Sequence, residues 1–338
     1  MQSSQMQSSQ MQSSQVKPVS RAEERPGILP LSFHGKGGTL FGIQIVNLFL
    51  TLITLGVYYF WAKVRVRKYL WSQVDLGGDR LAYHGTPREA LMGWLKAMLV
   101  FGVPFLVFQN LPALVGANGF VIFLCAIISL VLIAVFIPVA VVGMRRYRFS
   151  RTSLRGLRFS FRGRWRAFAR IFYSSFLYKI LTLGLYSPYY DVRKTAFFFE
   201  NTYYGNKRFG FHGRGSDLLG KYIIALLLAL PTLSLSLIWY SMEKTRYLWN
   251  HTSFQGSSFQ SAITFSGVLW LMLSSLLLLV CTLGLGAPWV QVRVFRYYLG
   301  NLRLMRSPDF AAIAQDARDD TATAEEIGDF LDMDFDLG

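Results

Sequence analysis

Six stretches of this chain, about 38–61, 90–110, 119–143, 168–190, 218–240 and 263–289, are long runs of apolar residues. A helix needs about 20 residues to cover the ~30 Å of hydrocarbon in a bilayer. These runs therefore place the chain in a membrane and override the two soluble domains that 338 residues would otherwise suggest. Composition agrees: 16 % of residues are charged, against about 25 % in a soluble domain. Both cysteines, Cys125 and Cys281, lie in apolar runs, which excludes a disulfide framework or a zinc cluster.

The apolar runs repeat a common ending. Thr54-Leu55-Gly56-Val57-Tyr58 closes the first and Val64-Arg65 follows; Thr182-Leu183-Gly184-Leu185-Tyr186 closes the fourth and Val192-Arg193 follows. Thr282-Leu283-Gly284-Leu285 closes the sixth, before Val292-Arg293. Thr and Arg stand eleven positions apart each time, and Pro188 and Pro288 occupy one shared place. Residues 31–90 laid on 159–218 match at 14 of 60 positions without a gap. Such self-similarity indicates duplication of a structural unit. In that unit an apolar helix is interrupted at Thr-Leu-Gly and resumes as a basic, aromatic segment such as WAKVRVRKYLW (61–71) or YYDVRKTAFFF (189–199). A short hairpin comes next, LGGDRLAYHG (76–85) or YYGNKRFGFHG (203–213), whose Gly-Gly and Gly-Asn suit tight turns. RGLRFSFRG (155–163) and TSFQG (252–256) read as divergent hairpins. Amphipathic rings and cations together suit the headgroup zone.

These features predict an all-α polytopic membrane protein. It has about six transmembrane or re-entrant helices from an internal repeat, with short β-hairpins at the membrane surface. The divisions are a low-complexity, disordered N-terminus (1–30, beginning with MQSSQ three times), repeat 1 (31–158), repeat 2 (159–253), a shortened repeat 3 (254–306) and an acidic tail (307–338). No signal peptide is visible. The tail holds ten acidic residues and Arg318, leaving 34 basic and 9 acidic residues in 1–306. It reads either as a solvated tail or as a segment that docks on a basic surface, its own or a partner's.

Orientation is not fixed by charge, since six plain spans put 17 Lys and Arg on one side and 14 on the other. Six spans also make the repeats inverted, as in secondary transporters whose broken helices bind substrate. The alternative is that the Thr-Leu-Gly segments re-enter and every basic end is cytoplasmic, the arrangement that the recurring basic ends favour.

The blocks FHGKGGTLFGIQIVNLFLTLITLGVYYFWAKVRVRKYLWSQ, LAYHGTP, LGLYSPYYDVRK, TRYLWNHTSFQG and LGLGAPWVQVRVFRYY, in this order across about 31–305, resemble the YjgN-like inner-membrane family of bacteria. The resemblance implies a multi-pass protein of the bacterial inner membrane. It implies no activity and supplies no catalytic residues, because that family has no known function.

Catalytic motifs are missing: no GxSxG, no HExxH and no phosphate loop occur, and the chain reads as non-enzymatic, without cofactor or metal. His34, His84 and His212 sit in aromatic-His-Gly triplets whose counterparts are Arg162 and Gln255, so a hydrogen bond to a turn or a headgroup-level position suits them better than metal. Lys96 and Lys179 lie inside apolar runs, where a charge either snorkels or lines a polar cavity. Gln44 and Asn47 suit an inter-helix hydrogen bond. The nine carboxylates of 1–306 give little support to an acidic proton relay. The pI near 10 points to anionic lipid rather than nucleic acid. The reading is a membrane protein that binds or moves an anionic solute or lipid, with Arg65, Arg193, Arg293 and Lys179 facing the anion. The alternative is a non-transporting scaffold that recruits a protein partner through its basic face or acidic tail; oligomeric state is not legible.

Overall fold

A computed structural model describes residues 27–305 except 117, together with 308, 310 and 313. One succession of elements, strand–helix–helix–strand, recurs five times. The first is β1 (Ile28–Phe33), α1 (Gly37–Ile53), α2 (Tyr59–Ser72) and β2 (Val74–Leu76). The second is β3 (Asp79–Tyr83), α3 (Pro87–Ala97), a π-helical turn (Met98–Gly102), α4 (Val103–Leu114), α5 (Gly119–Ser150) and β4 (Thr152–Leu154). The third is β5 (Leu157–Phe161), α6 (Trp165–Leu181), α7 (Ser187–Glu200) and β6 (Thr202–Tyr204). The fourth is β7 (Lys207–Phe211), α8 (Ser216–Leu227), α9 (Leu235–Asn250) and β8 (Thr252–Phe254). The fifth is β9 (Ser257–Ser261), α10 (Phe265–Cys281), α11 (Ala287–Gly300) and β10 (Leu302–Met305).

The ten strands close into one antiparallel barrel, in which each pairs with its neighbours in sequence and β1 meets β10 at Ile28↔Met305 and Leu29↔Leu304. Strands of three to six residues are too short to stand as isolated hairpins, and closure removes every unpaired edge. Each helical pair leaves and rejoins the barrel at one rim, because the strands flanking it pair there: Phe33↔Val74, Tyr83↔Thr152, Phe161↔Thr202, Phe211↔Thr252 and Ser261↔Leu302. A backbone bond of 2.7–2.9 Å closes each junction, from the N–H of His34, His84, Arg162, His212 or Ala262 to the carbonyl of Gln73, Arg151, Asn201, His251 or Asn301. The tight β turns, with Gly77, Gly78, Arg155, Gly156, Gly205, Gln255 and Gly256 at positive φ, line the opposite rim.

This architecture corrects the all-α fold of about six spans with separate surface hairpins. Four of the six apolar runs are reversals: 38–61, 168–190, 218–240 and 263–289 each hold a helix, a tight turn and the start of the returning helix. Among the described residues, only Pro87–Leu114 and Gly119–Ser150 are long and apolar enough to cross a membrane. Hydropathy does not register a reversal whose turn is as apolar as its helices. The supposed surface hairpins are the barrel wall, paired across helical segments that separate them in sequence.

The core repeats with the units. Leu40, Phe168, Leu218 and Val268 on the outgoing helices, and Val64, Val142, Val192, Met242 and Val292 on the returning ones, are all buried. The aromatic-x-Gly triplets are packing devices. A Cβ at Gly35, Gly85, Gly163 or Gly213 would lie 2.5–2.6 Å from the ring of Phe33, Tyr83, Phe161 or Phe211, so glycine lets each ring fold back over the chain. In the fifth unit Ser261-Ala262-Ile263 stands there, and Ile263 is buried instead. Inside the barrel, Leu154, Tyr204 and Phe254 pack with Phe159, Phe209, Phe259, Phe310 and Ile313, so the described part of the lumen is filled rather than open. Burial raises the Tyr204 pKa, and its hydroxyl donates to the Leu154 carbonyl at 2.8 Å.

Candidate membrane-facing site

The helical reversals carry exposed apolar residues on turns that pair their own polar groups. Leu55, Leu183, Leu233 and Leu283 adopt left-handed φ of 48–50° and are 94, 93, 90 and 92 % exposed. Each follows a threonine that works in two directions. The Oγ1 of Thr54, Thr182, Thr232 and Thr282 donates to the carbonyl four residues back. The same oxygen accepts from the N–H of Tyr58, Tyr186, Ser236 and Gly286 at 2.8–3.2 Å. A further backbone bond of 2.7–2.8 Å, from Gly56, Gly184, Ser234 or Gly284 to the carbonyl five residues earlier, completes the cap. A turn that pairs its own polar groups tolerates hydrocarbon, where an unpaired group costs several kcal/mol.

Around these tips the exposed surface is apolar. Val46 to Leu55 covers about 15 Å of helix and Tyr173 to Leu183 about 16 Å. The second hairpin differs: exposed apolar residues run from Met92 to Leu114 and from Phe120 to Ile137, about 34 and 27 Å of helix. Residues 98–143 contain no Lys, Arg, Asp or Glu. Lys96, at the edge of that stretch, is exposed.

Among the described residues, cations of the hairpins lie nearer the barrel, with the exception of Lys179, three residues before the Thr182 turn. Arg65, Arg193 and Arg293 are exposed and hold equivalent places on α2, α7 and α11, each directly after a buried valine. Each is six positions, about 9 Å, from the first residue of its helix near the tip. The structure sets them at one level on three hairpins but not together, and none pairs with a carboxylate among the described residues. Arg193 lies 5.8 Å from the Tyr186 ring centroid. Lys179 stands apart, with its Nζ 4.1 Å from the Tyr190 ring centroid, and the neighbouring Lys244 is paired with Asp191 at 2.8 Å. Gln44 donates to Gln291 at 3.2 Å, and Asn47 reaches the Ala62 carbonyl at 3.4 Å, so both bridge helices.

Glu243 escaped the sequence reading. It occupies the place of the three arginines on the fourth hairpin, buried, and takes Lys221 at 2.6 Å and Arg246 at 2.5 Å. Thr232 precedes it by the same eleven positions, and the motif went unseen because Ser234 replaces the glycine. Asp191 and Glu243 thus place two carboxylates in the helical layer.

The histidines belong to the barrel wall and do not converge. His34 Nε2 meets Ser32 Oγ at 2.9 Å, and His84 Nε2 meets Ser153 Oγ at 2.8 Å. Arg162 is their structural counterpart, whereas Gln255 belongs to a β turn and its place is taken by Ala262. Hydrogen bonds from Tyr247 and Ser216 hold the exposed Asp217 carboxyl below its ordinary pKa. No group of three His, Cys, Asp or Glu residues suited to a metal occurs among the described residues.

The family model described as a bacterial protein of unknown function (DUF898) matches residues 28–238 and 221–330. Inner membrane protein YjgN of Escherichia coli (strain K12) is 34 % identical over 130 residues, 38 % of this chain and 30 % of the relative. Inner membrane protein YjgN of Salmonella typhimurium is 36 % identical over 132 residues, 39 % of this chain and 31 % of the relative. The aligned region therefore spans less than a third of these curated relatives. No solved structure matches. The chain belongs to the DUF898 family, a YjgN-like family of bacterial inner-membrane proteins whose function is unknown.

Proposed function

We propose that this protein enters the inner membrane from the cytoplasmic face and binds anionic headgroups there, without enzymatic chemistry. In this reading the first, third, fourth and fifth hairpins dip into the bilayer and return, and only the second crosses. The observation that carries it is the common rim: all five hairpins leave the barrel on one side, with apolar tips outermost and, apart from Lys179 at the third tip, cations behind them. An apolar reach of about 15 Å is half the ~30 Å of hydrocarbon, whereas about 30 Å matches all of it. The far loop of the second hairpin is uncharged, so the Lys and Arg that flank its span on α3 and α5 lie on the barrel side, and the positive-inside rule puts that side in the cytoplasm. We read the five units as products of duplication, supported by the sequence matches at Thr-Leu-Gly and Val-Arg.

Arg65, Arg193 and Arg293 would then meet phosphates at the hydrocarbon boundary, where guanidinium binds them in two-pronged fashion. Packing inside the barrel favours binding over conduction along its axis. Replacing the three together by Gln should weaken retention of phosphatidylglycerol over phosphatidylcholine in nanodiscs at least five-fold. Free inorganic phosphate, added as competitor, separates a lipid site from a solute site. Unchanged lipid retention in a folded triple variant refutes the assignment.

A further inference from the structure

The outer wall of the barrel is basic, and the chain's acidic segment starts beside it. Arg80, Arg208 and Arg303 are exposed on the barrel strands, with Arg158 at the position on β5 that corresponds to Arg80 and Arg208. Of the carboxylates nearby, Asp79 pairs with Arg155 at 2.5 Å, and Asp75, which accepts from the Gly78 N–H at 2.9 Å, stands across from Arg80, whereas Arg208 and Arg303 have no carboxylate opposite them in the strand pairs. Beyond β10, Phe310 and Ile313 lie against the residues that fill the barrel. There Ile313 is buried against Leu154, Tyr204 and Phe254, and the Arg155 guanidinium lies 4.2 Å from the Phe310 ring centroid. Beyond Ile313 the sequence carries nine acidic residues and one arginine, interleaved with Ile327, Phe330, Leu331, Met333, Phe335 and Leu337. These residues lie outside those described.

We infer that the basic outer wall is the docking surface for the chain's own acidic segment, 314–338. Phe310 and Ile313 fix where the segment begins, which makes the encounter intramolecular and raises its effective concentration. Twenty-five residues reach up to about 80 Å when extended, far beyond the ~17 Å height of a five-residue strand. Charge complementarity selects the wall, and the interleaved apolar residues suit a segment that orders on docking. The wall is thereby occupied by the protein itself unless a stronger anionic partner displaces the segment.

The test uses the full chain in mild detergent, with Cys125 and Cys281 replaced by Ser and cysteines placed by Asn206→Cys and Ala324→Cys. A short bismaleimide should join the two within one chain, and high salt should cut the yield at least five-fold, as screening demands. Arg80→Glu, Arg208→Glu and Arg303→Glu together should abolish the link. A cross-link only between chains overturns the inference in favour of a second copy. Absence of any link, or an intrachain link indifferent to salt, overturns it as well. The salt arm stands even where the charge-reversed variant fails to fold.

Discussion

Thr182→Val probes whether the hairpin tips lie in hydrocarbon. Valine keeps the shape of threonine and removes only the hydroxyl. The Tyr178 carbonyl stays satisfied, because the Thr182 N–H also donates to it at 2.9 Å. The Tyr186 N–H, 3.0 Å from Thr182 Oγ1, loses its partner. Where water replaces the hydroxyl, the loss resembles that of an exposed helix cap, about 1 kcal/mol or less. In hydrocarbon the orphaned N–H carries its desolvation penalty, about 2–3 kcal/mol. At about 2–4 °C per kcal/mol for domains of 150–250 residues, that lowers the melting midpoint by roughly 4–12 °C. Thermal melts of the protein in lipid nanodiscs, followed by circular dichroism, measure it. Thr182→Ser, which restores the oxygen, should recover most of the loss. Equal midpoints for the Val and Ser variants would refute a tip in hydrocarbon.

Gly163→Ala should destabilise by about 1–3 kcal/mol, since the new Cβ would meet the Phe161 and Phe197 rings at 2.6 and 2.8 Å; Gly42→Ala, in open space on α1, should be neutral or slightly stabilising in the same melts. Glu243→Gln should cost on the order of 2 kcal/mol by leaving Lys221 and Arg246 without their carboxylate, a cost tempered by the partial exposure of both cations. Adding Lys221→Met and Arg246→Leu should recover part of that loss, and a double-mutant cycle reads the coupling.

The local unit was legible because its signals are chemical. Thr-Leu-Gly marks a reversal that caps itself, and aromatic-His-Gly marks a ring folded over a glycine. Basic, aromatic segments mark the returning helices. Barrel closure was not legible, because Tyr83 meets Thr152 across 68 intervening residues and neither the five-residue β3 nor the three-residue β4 announces its partner. The direction of the hairpins was hidden for a related reason, as an apolar reversal and an apolar span have the same hydropathy. The equivalent positions of Arg65, Arg193 and Arg293 on their helices were legible through their recurrence. Glu243 was not, because a serine stands where its repeat would carry glycine.

The common rim and the single crossing hairpin can be tested together. In a chain with Cys125 and Cys281 replaced, single cysteines at Gly78, Asn206 and Val115 would be labelled in intact cells and in inverted vesicles with an impermeant maleimide. Gly78 is exposed with nothing within 4 Å of an added Cβ, and the strain of a side chain at its φ of +94° falls on an exposed turn; Asn206 and Val115 are likewise exposed. The account predicts labelling of positions 78 and 206 from the cytoplasm only, and of position 115 from the opposite side only. Labelling of 78 and 206 from opposite sides would contradict it.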